Sequence, residues 1–287
     1  MKVPDVVPVI ASQRSPHAWK ATATAYLPAA PGPAAALDLL CFHHAGGAAS
    51  AFTGWSAAVG PAVRVLPVQL PGRERRVREP RFREMTALLD DLERELGPYL
   101  EGRYACYGHS MGALVAFALA HRRAESGRRG PVRLLLGAHA APHRPRALGS
   151  VDGMDDLALA RLLIGMGGMS ETLLDYPDWM VAATSLVRDD LAVCASWRPP
   201  PAPLPVPIDV FAGVDDAMVG LAGASEWSRY TTGGCALHPV PGGHFFIRES
   251  PETFLPLLAA SLAAAAPAAH GGSPAAVPAD ARRGEQA

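Results

Sequence analysis

The sequence has little net charge, few cysteines and no long apolar segment, and each of these absences excludes some classes of protein. The 26 Lys and Arg residues nearly balance the 27 Asp and Glu residues, which gives a formal net charge of −1. This balance provides no electrostatic basis for binding nucleic acid. The four cysteines, at positions 41, 106, 194 and 235, form no Cys-x-x-Cys pair, and we interpret them as reduced core residues.

No apolar run is long enough to cross a membrane, and no secretory segment precedes residue 30. We therefore expect a cytoplasmic protein that does not bind membranes. Apolar residues make up 49% of the 287 residues, which is enough to bury a large core in one domain. Short apolar runs alternate with runs of helical spacing, a pattern typical of an α/β protein with a mostly parallel central sheet and helices on both faces.

We place this domain at residues 21–264. The first 20 residues are predicted to be disordered. Residues 265–287 are rich in Ala, Pro and Gly, have little to bury, and are predicted to be disordered as well.

A Gly-x-Ser-x-Gly pentapeptide at 108–112 lies between a predicted strand and a predicted helix. This order is typical of a nucleophile elbow, which is a strained turn between a strand and a helix. The strand and the helix approach so closely there that side chains two residues before and two residues after the serine would collide. Glycines at both positions remove that collision. We therefore predict that Ser110 is a covalent nucleophile, and that the N–H of Met111 stabilises developing negative charge at the start of the helix. A chance match is the alternative in a chain with 28 glycines.

An orienting carboxylate and a base follow the serine in the chain order expected of a Ser-Asp-His hydrolase. A turn after a predicted buried strand carries Asp215 and Asp216, and only one of these adjacent carboxylates can face a given imidazole. His244 follows two glycines after the predicted last strand. We interpret His109, inside the pentapeptide, as a packing or hydrogen-bonding residue. Ser110, one of the two aspartates and His244 are the predicted catalytic residues.

A glycine-rich segment, His-Ala-Gly-Gly at 44–47, follows an early predicted strand, where these hydrolases have the other half of the oxyanion hole. We predict that the N–H groups of Ala45 and Met111 point together at the oxygen of a tetrahedral intermediate. Each donor would contribute on the order of a few kcal/mol. A phosphate-binding turn is the alternative, although the spacings typical of nucleotide-binding loops are absent from the sequence.

The 94 residues between Gly112 and Pro207 are more than one helix and one strand need, and we predict that the stretch at about 146–199 forms inserted helices that cover the serine as a lid. Asp155 and Asp156 are predicted to cap its first helix, and a second helix is predicted over 179–193. Between them lies a Gly-Met-Gly-Gly-Met segment at 165–169. We hypothesise that this segment is a hinge or a pocket wall.

Several segments between about residue 37 and about residue 246 resemble the type II thioesterases that accompany polyketide and nonribosomal peptide synthases, within the α/β-hydrolase superfamily. Beside the serine pentapeptide, the shared segments are His-Ala-Gly-Gly at 44–47, Leu-Pro-Gly-Arg at 70–73, Leu-Val-Arg-Asp-Asp-Leu at 186–191 and Gly-Gly-His-Phe at 242–245. Leu-Pro-Gly-Arg is the most discriminating of them, because generic esterases share the serine motif. In that family the aspartate lies three residues after a glycine and three before a valine, which favours Asp216. Ala217 stands where the family often has proline.

The resemblance implies a serine thioesterase that hydrolyses acyl groups from the phosphopantetheine thioester of carrier proteins and so removes aberrant or stalled units from a synthase. Ser110, activated by His244, would attack the thioester carbonyl, and Asp216 would orient the imidazole. The implied partners are an acyl-loaded carrier protein and small acyl thioesters, with no metal or organic cofactor. We expect a monomer. The alternatives left open are a general carboxylesterase or lipase, an acyltransferase or cyclising thioesterase, and a binding protein on an inactive hydrolase fold.

The densest group of positive charge lies just after the Leu-Pro-Gly part of the discriminating segment. It consists of Arg73, Arg75, Arg76, Arg78, Arg81 and Arg83. One interpretation is a solvated loop and helix start. The other is a docking patch for an acidic carrier protein.

Overall fold

The structure is a computed structural model that describes residues 24–28, 32–145, 148, 151 and 153–265. The predicted disordered N-terminus, 1–20, lies outside the described residues, as does the predicted C-terminal tail apart from residue 265. The predicted start of the insertion, near 146, also falls among residues that are not described. Residues 153–199 are described without a gap, and the term insertion denotes these residues below.

A six-stranded sheet forms the centre of the described chain, with the spatial order β2-β1-β3-β4-β5-β6. Every neighbouring pair of these strands is parallel, which confirms the predicted α/β class. The strands are β1 (Leu37–Phe42), β2 (Val63–Pro67), β3 (Tyr104–His109), β4 (Leu134–Gly137), β5 (Ile208–Gly213) and β6 (Cys235–Val240). Because all carboxyl ends of parallel strands lie at one edge, the turns after β1, β3, β5 and β6 meet there.

Helices cover both faces of the sheet. They are α1 (Trp55–Val59), α2 (Met85–Leu100), α3 (Met111–Glu125), α4 (Asp156–Gly165), α5 (Pro177–Ala195), α6 (Gly220–Ser225), α7 (Phe246–Glu249) and α8 (Pro251–Ala265). Short 3-10 helices lie at Ala49–Phe52, Glu74–Arg76, Glu171–Asp175 and Glu226–Tyr230.

The strands supply two cores because successive side chains of a strand point to opposite faces. Leu40, Phe42 and Cys106 join a cluster with the leucines of α2 and with Met111 and residues 113–120 of α3. Leu39 and Cys41 join a second cluster, which contains apolar side chains of α1 and α8. Strands buried on both faces explain the nearly continuous apolar runs that predicted them.

The insertion contributes helices α4 and α5 and the 3-10 turn between them. Asp155 caps α4 by accepting a hydrogen bond from the N–H of Ala158 at 2.7 Å, as its place in the sequence predicts. Helix α5 extends two residues beyond the predicted helix at each end and begins with a proline, which suits a first helical turn. A small apolar cluster of Val151, Leu159, Leu163 and Val187 joins the two helices and packs against Ala45.

No helix within the described ranges is long and apolar enough to span a bilayer. Those same ranges contain no group of three or more His, Cys, Asp or Glu side chains arranged to hold a metal ion.

Candidate active site

Ser110 lies on a sharp turn between the last residue of β3 and the first residue of α3. Its backbone has φ 54° and ψ −115°, a conformation that residues other than glycine rarely adopt. A Cβ atom on Gly108 would lie 2.0 Å from the carbonyl oxygen of Gly112, and a Cβ atom on Gly112 would lie 2.0 Å from the carbonyl oxygen of Phe42. The two glycines therefore permit the close approach of strand and helix that raises Ser110 at the edge of the sheet.

The structure brings Ser110, His244 and Asp216 together, although they are far apart in the sequence. The Nε2 atom of His244 is 3.0 Å from the Oγ atom of Ser110, and its Nδ1 atom is 2.8 Å from Oδ2 of Asp216. Because a carboxylate only accepts hydrogen bonds, Nδ1 carries the proton and Nε2 is free to accept one from the serine. This geometry suits the transfer of a proton from Ser110 to His244.

Asp216 rather than Asp215 faces the imidazole. The side chain of Asp215 is exposed, whereas Asp216 is 4% exposed. Burial alone would raise the pKa of Asp216, but hydrogen bonds from His244 and from the N–H groups of Met218 and Val219 outweigh it and hold the pKa below its usual value. Asp216 is thus ionised, and its carboxylate accepts three hydrogen bonds, from Nδ1 of His244 and from the N–H groups of Met218 and Val219.

His109 fixes the backbone of His244 from below the elbow. Its Nε2 atom lies 2.9 Å from the carbonyl oxygen of His244, and its Nδ1 atom lies 3.1 Å from the hydroxyl of Tyr107. A carbonyl oxygen only accepts, so Nε2 carries the proton and Nδ1 accepts one from Tyr107. Complete burial lowers the pKa of His109 well below its usual value, which keeps the ring neutral. The predicted hydrogen-bonding role of His109 is observed.

The glycine-rich segment after β1 lies against the first turn of α3. A Cβ atom on Gly112 would also approach the carbonyl oxygen of His43 at 2.8 Å, so Met111 and the residues that follow His43 share one edge of the site. The N–H of Met111 is the first of α3 and has no acceptor within its helix. Met111 within the elbow and the glycine-rich segment that contains Ala45 thus lie at one edge of the site.

The insertion covers this edge at several points, two of which show how closely it packs. A Cβ atom on Gly46 would lie 2.7 Å from Cγ2 of Val187, so α5 rests directly on the glycine-rich turn. Gly168 faces the ring of Phe245, the residue after His244, and a Cβ atom there would lie 3.0 Å from Cζ of that ring. The guanidinium of Arg248 stacks on the same ring with Cζ 4.5 Å from its centroid.

The basic cluster is largely committed to contacts within the protein. Arg73 and Arg76 are each 6% exposed, so the interpretation of the whole cluster as a solvated loop or a docking patch is wrong for these two. Arg76 pairs with Glu79 at 2.6 Å, and Arg81 pairs with Asp189 of α5 at 2.8 Å. Sequence reasoning missed these partners because charge counts alone do not indicate which arginines face a carboxylate.

The fold and the site together define a class. A parallel sheet covered by helices on both faces, with a serine at a strained turn after β3 and an aspartate and a histidine after the last two strands, is the α/β-hydrolase architecture. A family model described as Thioesterase domain matches residues 38–262. The chain belongs to this thioesterase family, whose members are hydrolases that act on thioesters.

Known relatives agree with this assignment. The chain is 32% identical to the gramicidin S biosynthesis protein GrsT of Aneurinibacillus migulanus, with 76% of this chain and 85% of GrsT aligned. Among solved structures, the RedJ thioesterase from the prodiginine pathway of Streptomyces coelicolor is 34% identical with a TM-score of 0.70, covering 79% of this chain and 86% of RedJ. The type II thioesterase BorB of the borrelidin biosynthetic cluster is also 34% identical, with a TM-score of 0.71 and coverage of 80% and 94%. The resemblance to type II thioesterases is confirmed.

Proposed function

We propose that this thioesterase uses Ser110 as nucleophile, His244 as general base and acid, and Asp216 as the group that orients His244. The observation that carries the proposal is the continuous pair of contacts from Ser110 Oγ to His244 Nε2, at 3.0 Å, and from His244 Nδ1 to Asp216 Oδ2, at 2.8 Å. The strained turn at Ser110 and the ionised state of Asp216 support the same roles.

The proposed reaction has two halves. Ser110 Oγ attacks the thioester carbonyl carbon while its proton passes to Nε2 of His244, and the carbonyl oxygen becomes an oxyanion held by the N–H groups of Ala45 and Met111. The C–S bond then breaks, and the imidazolium of His244 returns the proton to the departing sulfur. Nε2 of His244 next takes a proton from water, whose oxygen attacks the carbonyl carbon of the acyl-serine ester. The bond between that carbon and Ser110 Oγ then breaks, the imidazolium returns the proton to Oγ, and the carboxylic acid is released.

We propose that the substrate is an acyl group carried on the phosphopantetheine arm of a carrier protein in a polyketide or nonribosomal peptide synthase. Support comes from the relatives, which are named for gramicidin S, prodiginine and borrelidin biosynthesis. Removal of aberrant or stalled units is the role that this substrate suggests. We further propose that the protein acts as a monomer without a metal or organic cofactor and that its insertion, residues 153–199, is a lid that selects the acyl chain.

The test is mass spectrometry of an acyl-loaded carrier protein incubated with the wild type and with Ser110→Ala. The proposal expects loss of the acyl mass from the carrier with the wild type only. Hydrolysis by Ser110→Ala at the wild-type rate would refute the role of the serine.

Parallel assays separate the remaining activities. A simple oxygen ester of the same acyl group, hydrolysed with higher kcat/KM than the acyl-carrier, would favour a general carboxylesterase or lipase. Added amine or alcohol acceptors that replace the free acid with an amide or ester product would favour an acyltransferase. Light scattering of the purified protein tests the monomer.

A further inference from the structure

A buried ion pair between Asp190 of α5 and Arg73 of the Leu-Pro-Gly-Arg segment takes no part in the proposed proton transfers. The guanidinium Nη2 atom lies 2.8 Å from Oδ1 of Asp190, and Nη1 lies 2.8 Å from Oδ2. The two side chains are 5% and 4% exposed. A buried ion pair is a weak source of stability, because removing two charges from water offsets most of their attraction. Its place in the site therefore calls for a functional explanation.

Both members of the ion pair form hydrogen bonds with the backbone of the glycine-rich turn. Oδ2 of Asp190 accepts a second hydrogen bond, from the N–H of Gly46 at 2.8 Å. Nη1 of Arg73 donates a further hydrogen bond to the carbonyl oxygen of Gly47 at 3.2 Å. Val187, one turn earlier on α5, presses on the same turn at Gly46. These contacts join three segments that are distant in the sequence.

The position of Gly47 sets the direction of the predicted oxyanion donor. The carbonyl oxygen of His44 accepts hydrogen bonds from the N–H of Gly47 and from Nδ1 of His43, both at 2.9 Å. That carbonyl belongs to the same peptide unit as the N–H of Ala45, and in a trans peptide the two groups point in opposite directions. Holding the carbonyl of His44 on one side thus aims the N–H of Ala45 to the other.

His43 and Met111 connect this arrangement to the rest of the site. Burial, followed by the nearby Arg73 charge, lowers the pKa of His43 to about 3, so its ring is neutral and keeps the Nδ1 proton that it donates. Met111 lines a cavity of about 10 Å³ together with Arg73 and Asp190. The ion pair therefore lies beside Met111 as well as beside the turn that contains Ala45.

We infer that Asp190 and Arg73 are positioning residues that hold the turn at 44–47 so that the N–H of Ala45 faces the oxyanion, and that they tie this half of the oxyanion hole to helix α5 of the insertion. The inference rests on the proposed function, since it assigns a role within the same reaction. Neither side chain contacts the reacting atoms; both act through the backbone of Gly46 and Gly47.

The test is the steady-state kinetics of Asp190→Asn with a short acyl thioester, corrected for the fraction of active sites that a serine-directed reagent labels. Asn keeps the shape but loses the charge that holds Arg73 and the Gly46 N–H together. Because a misdirected donor weakens binding of the transition state more than that of the substrate, kcat should fall about 10- to 100-fold while KM changes less than about twofold. An alkyl boronic acid, which forms a tetrahedral adduct with the serine, should lose affinity by a similar factor.

The matched control is Asp38→Asn. Asp38 forms a bidentate pair with Arg64 at 2.7 Å for both contacts, with 11% side-chain exposure, at the amino end of β1 and so at the opposite edge of the sheet. This variant should lose stability but keep the kcat and boronate affinity of the wild type. Arg73→Lys, which keeps a charge but lacks the fork that reaches both Asp190 and Gly47, should change kcat in the same direction as Asp190→Asn.

Three results would overturn the inference: an unchanged kcat and boronate affinity in Asp190→Asn and Arg73→Lys, an equal loss of kcat in Asp38→Asn, or an effect confined to the KM of long acyl chains. If neither single variant folds, the double variant Arg73→Met/Asp190→Leu, which leaves no unpaired buried charge, undergoes the same comparison. An active Ser110→Ala would refute the proposed function itself. An inactive Ser110→Ala beside a fully active Asp190→Asn would refute this inference alone.

Discussion

The sheet body, made of the six strands with α1–α3 and α6–α8, and the insertion are held in place in different ways. In the body, β3 and β5 are buried at every residue, and α3 buries nearly all of its side chains. In the insertion, α5 buries one edge only, and Trp179 on that helix is 66% exposed. The centre of the body, made of β3, β5 and α3, thus resists substitution at almost every position, whereas the insertion resists it along a single edge.

This difference indicates that the body and the insertion have different roles. Ser110, Asp216 and His244 all belong to the body, where glycine contacts and buried hydrogen bonds fix their geometry. The insertion reaches the site at few points, among them Asp190 and Gly168. We therefore expect substitutions in the body to affect chemistry and stability, and substitutions in the insertion to affect the choice of acyl chain, except at these contacts.

The largest expected effect is that of Asp216→Asn. Without the carboxylate, His244 loses both the charge that stabilises its imidazolium and the acceptor that fixes its tautomer, so kcat should fall about 10⁴-fold. The adjacent, exposed Asp215 supplies the control, and Asp215→Asn should keep kcat within about twofold. Steady-state thioester hydrolysis measures both variants. A similar small effect in the two would mean that neither carboxylate orients the histidine.

A second prediction compares the acid stability of the two regions. Burial lowers the pKa of His43 and of His44 to about 3 and that of His109 well below its usual value. Below pH 6.5 the unfolded chain binds protons that these buried rings do not, so stability is lost as the pH falls from about 6.5 towards 3. At pH 5 each ring should cost about 2 kcal/mol of unfolding free energy relative to pH 7.

Urea unfolding at pH 7 and pH 5 measures this loss. The insertion has no histidine, so the protection factors of amides in α5, corrected for the pH dependence of intrinsic exchange, should fall less between pH 7 and pH 5 than those of the body. An unfolding free energy that stays constant between the two pH values would show that the three rings are protonated in the folded protein.

A third prediction concerns glycine. Gly112→Ala would bring a Cβ atom within 2.0 Å of a backbone oxygen, and neither backbone segment can move without disturbing the sheet. The variant should lose about 3 kcal/mol or more of unfolding free energy. In Gly165→Ala, at the end of α4, the new Cβ atom meets no atom within 4 Å. This variant should raise the unfolding free energy by no more than about 1 kcal/mol. Equal thermal shifts in both variants would contradict the contrast between body and insertion.

The smallest expected effect is that of Gly168→Ala. The new methyl group would lie 3.0 Å from the ring of Phe245, so this ring must move by a few tenths of an ångström. The ratio of kcat/KM for long and short acyl thioesters should change several-fold, while stability changes by less than about 1 kcal/mol. Gly165→Ala again provides the control. Unchanged ratios across the chain-length series would remove the segment at 165–169 from the pocket wall.

Much of the fold and the site could be predicted because the signals are local. The glycines of the pentapeptide indicate a turn at which strand and helix lie too close for side chains, and the order of Ser110, the aspartates and His244 indicates the ends of three strands of one parallel sheet. Asp215 and Asp216 could not be separated by residue type, since the difference lies in which of them a turn buries. The family pattern supplied that choice, and the geometry agrees with it.

The buried partners of the arginines were beyond local reasoning. Arg73 lies more than a hundred residues from Asp190, and no periodicity connects a loop after β2 to the inner edge of α5. The sequence nevertheless contained an indirect signal. The segments at 44–47, 70–73 and 186–191 all resemble segments of one family, and in the structure they meet at a single buried carboxylate, that of Asp190.

The central claim is that Ser110 carries the acyl group between carrier and water. The direct measurement is peptide mapping by mass spectrometry of protein mixed with an acyl-loaded carrier and quenched in acid within the first turnover. Our account predicts the acyl mass on the peptide that contains Ser110, and no acyl adduct in Ser110→Ala. An acyl group on a different residue of the wild type would contradict this account. Turnover by Ser110→Ala at the wild-type rate, without a covalent adduct, would contradict it as well.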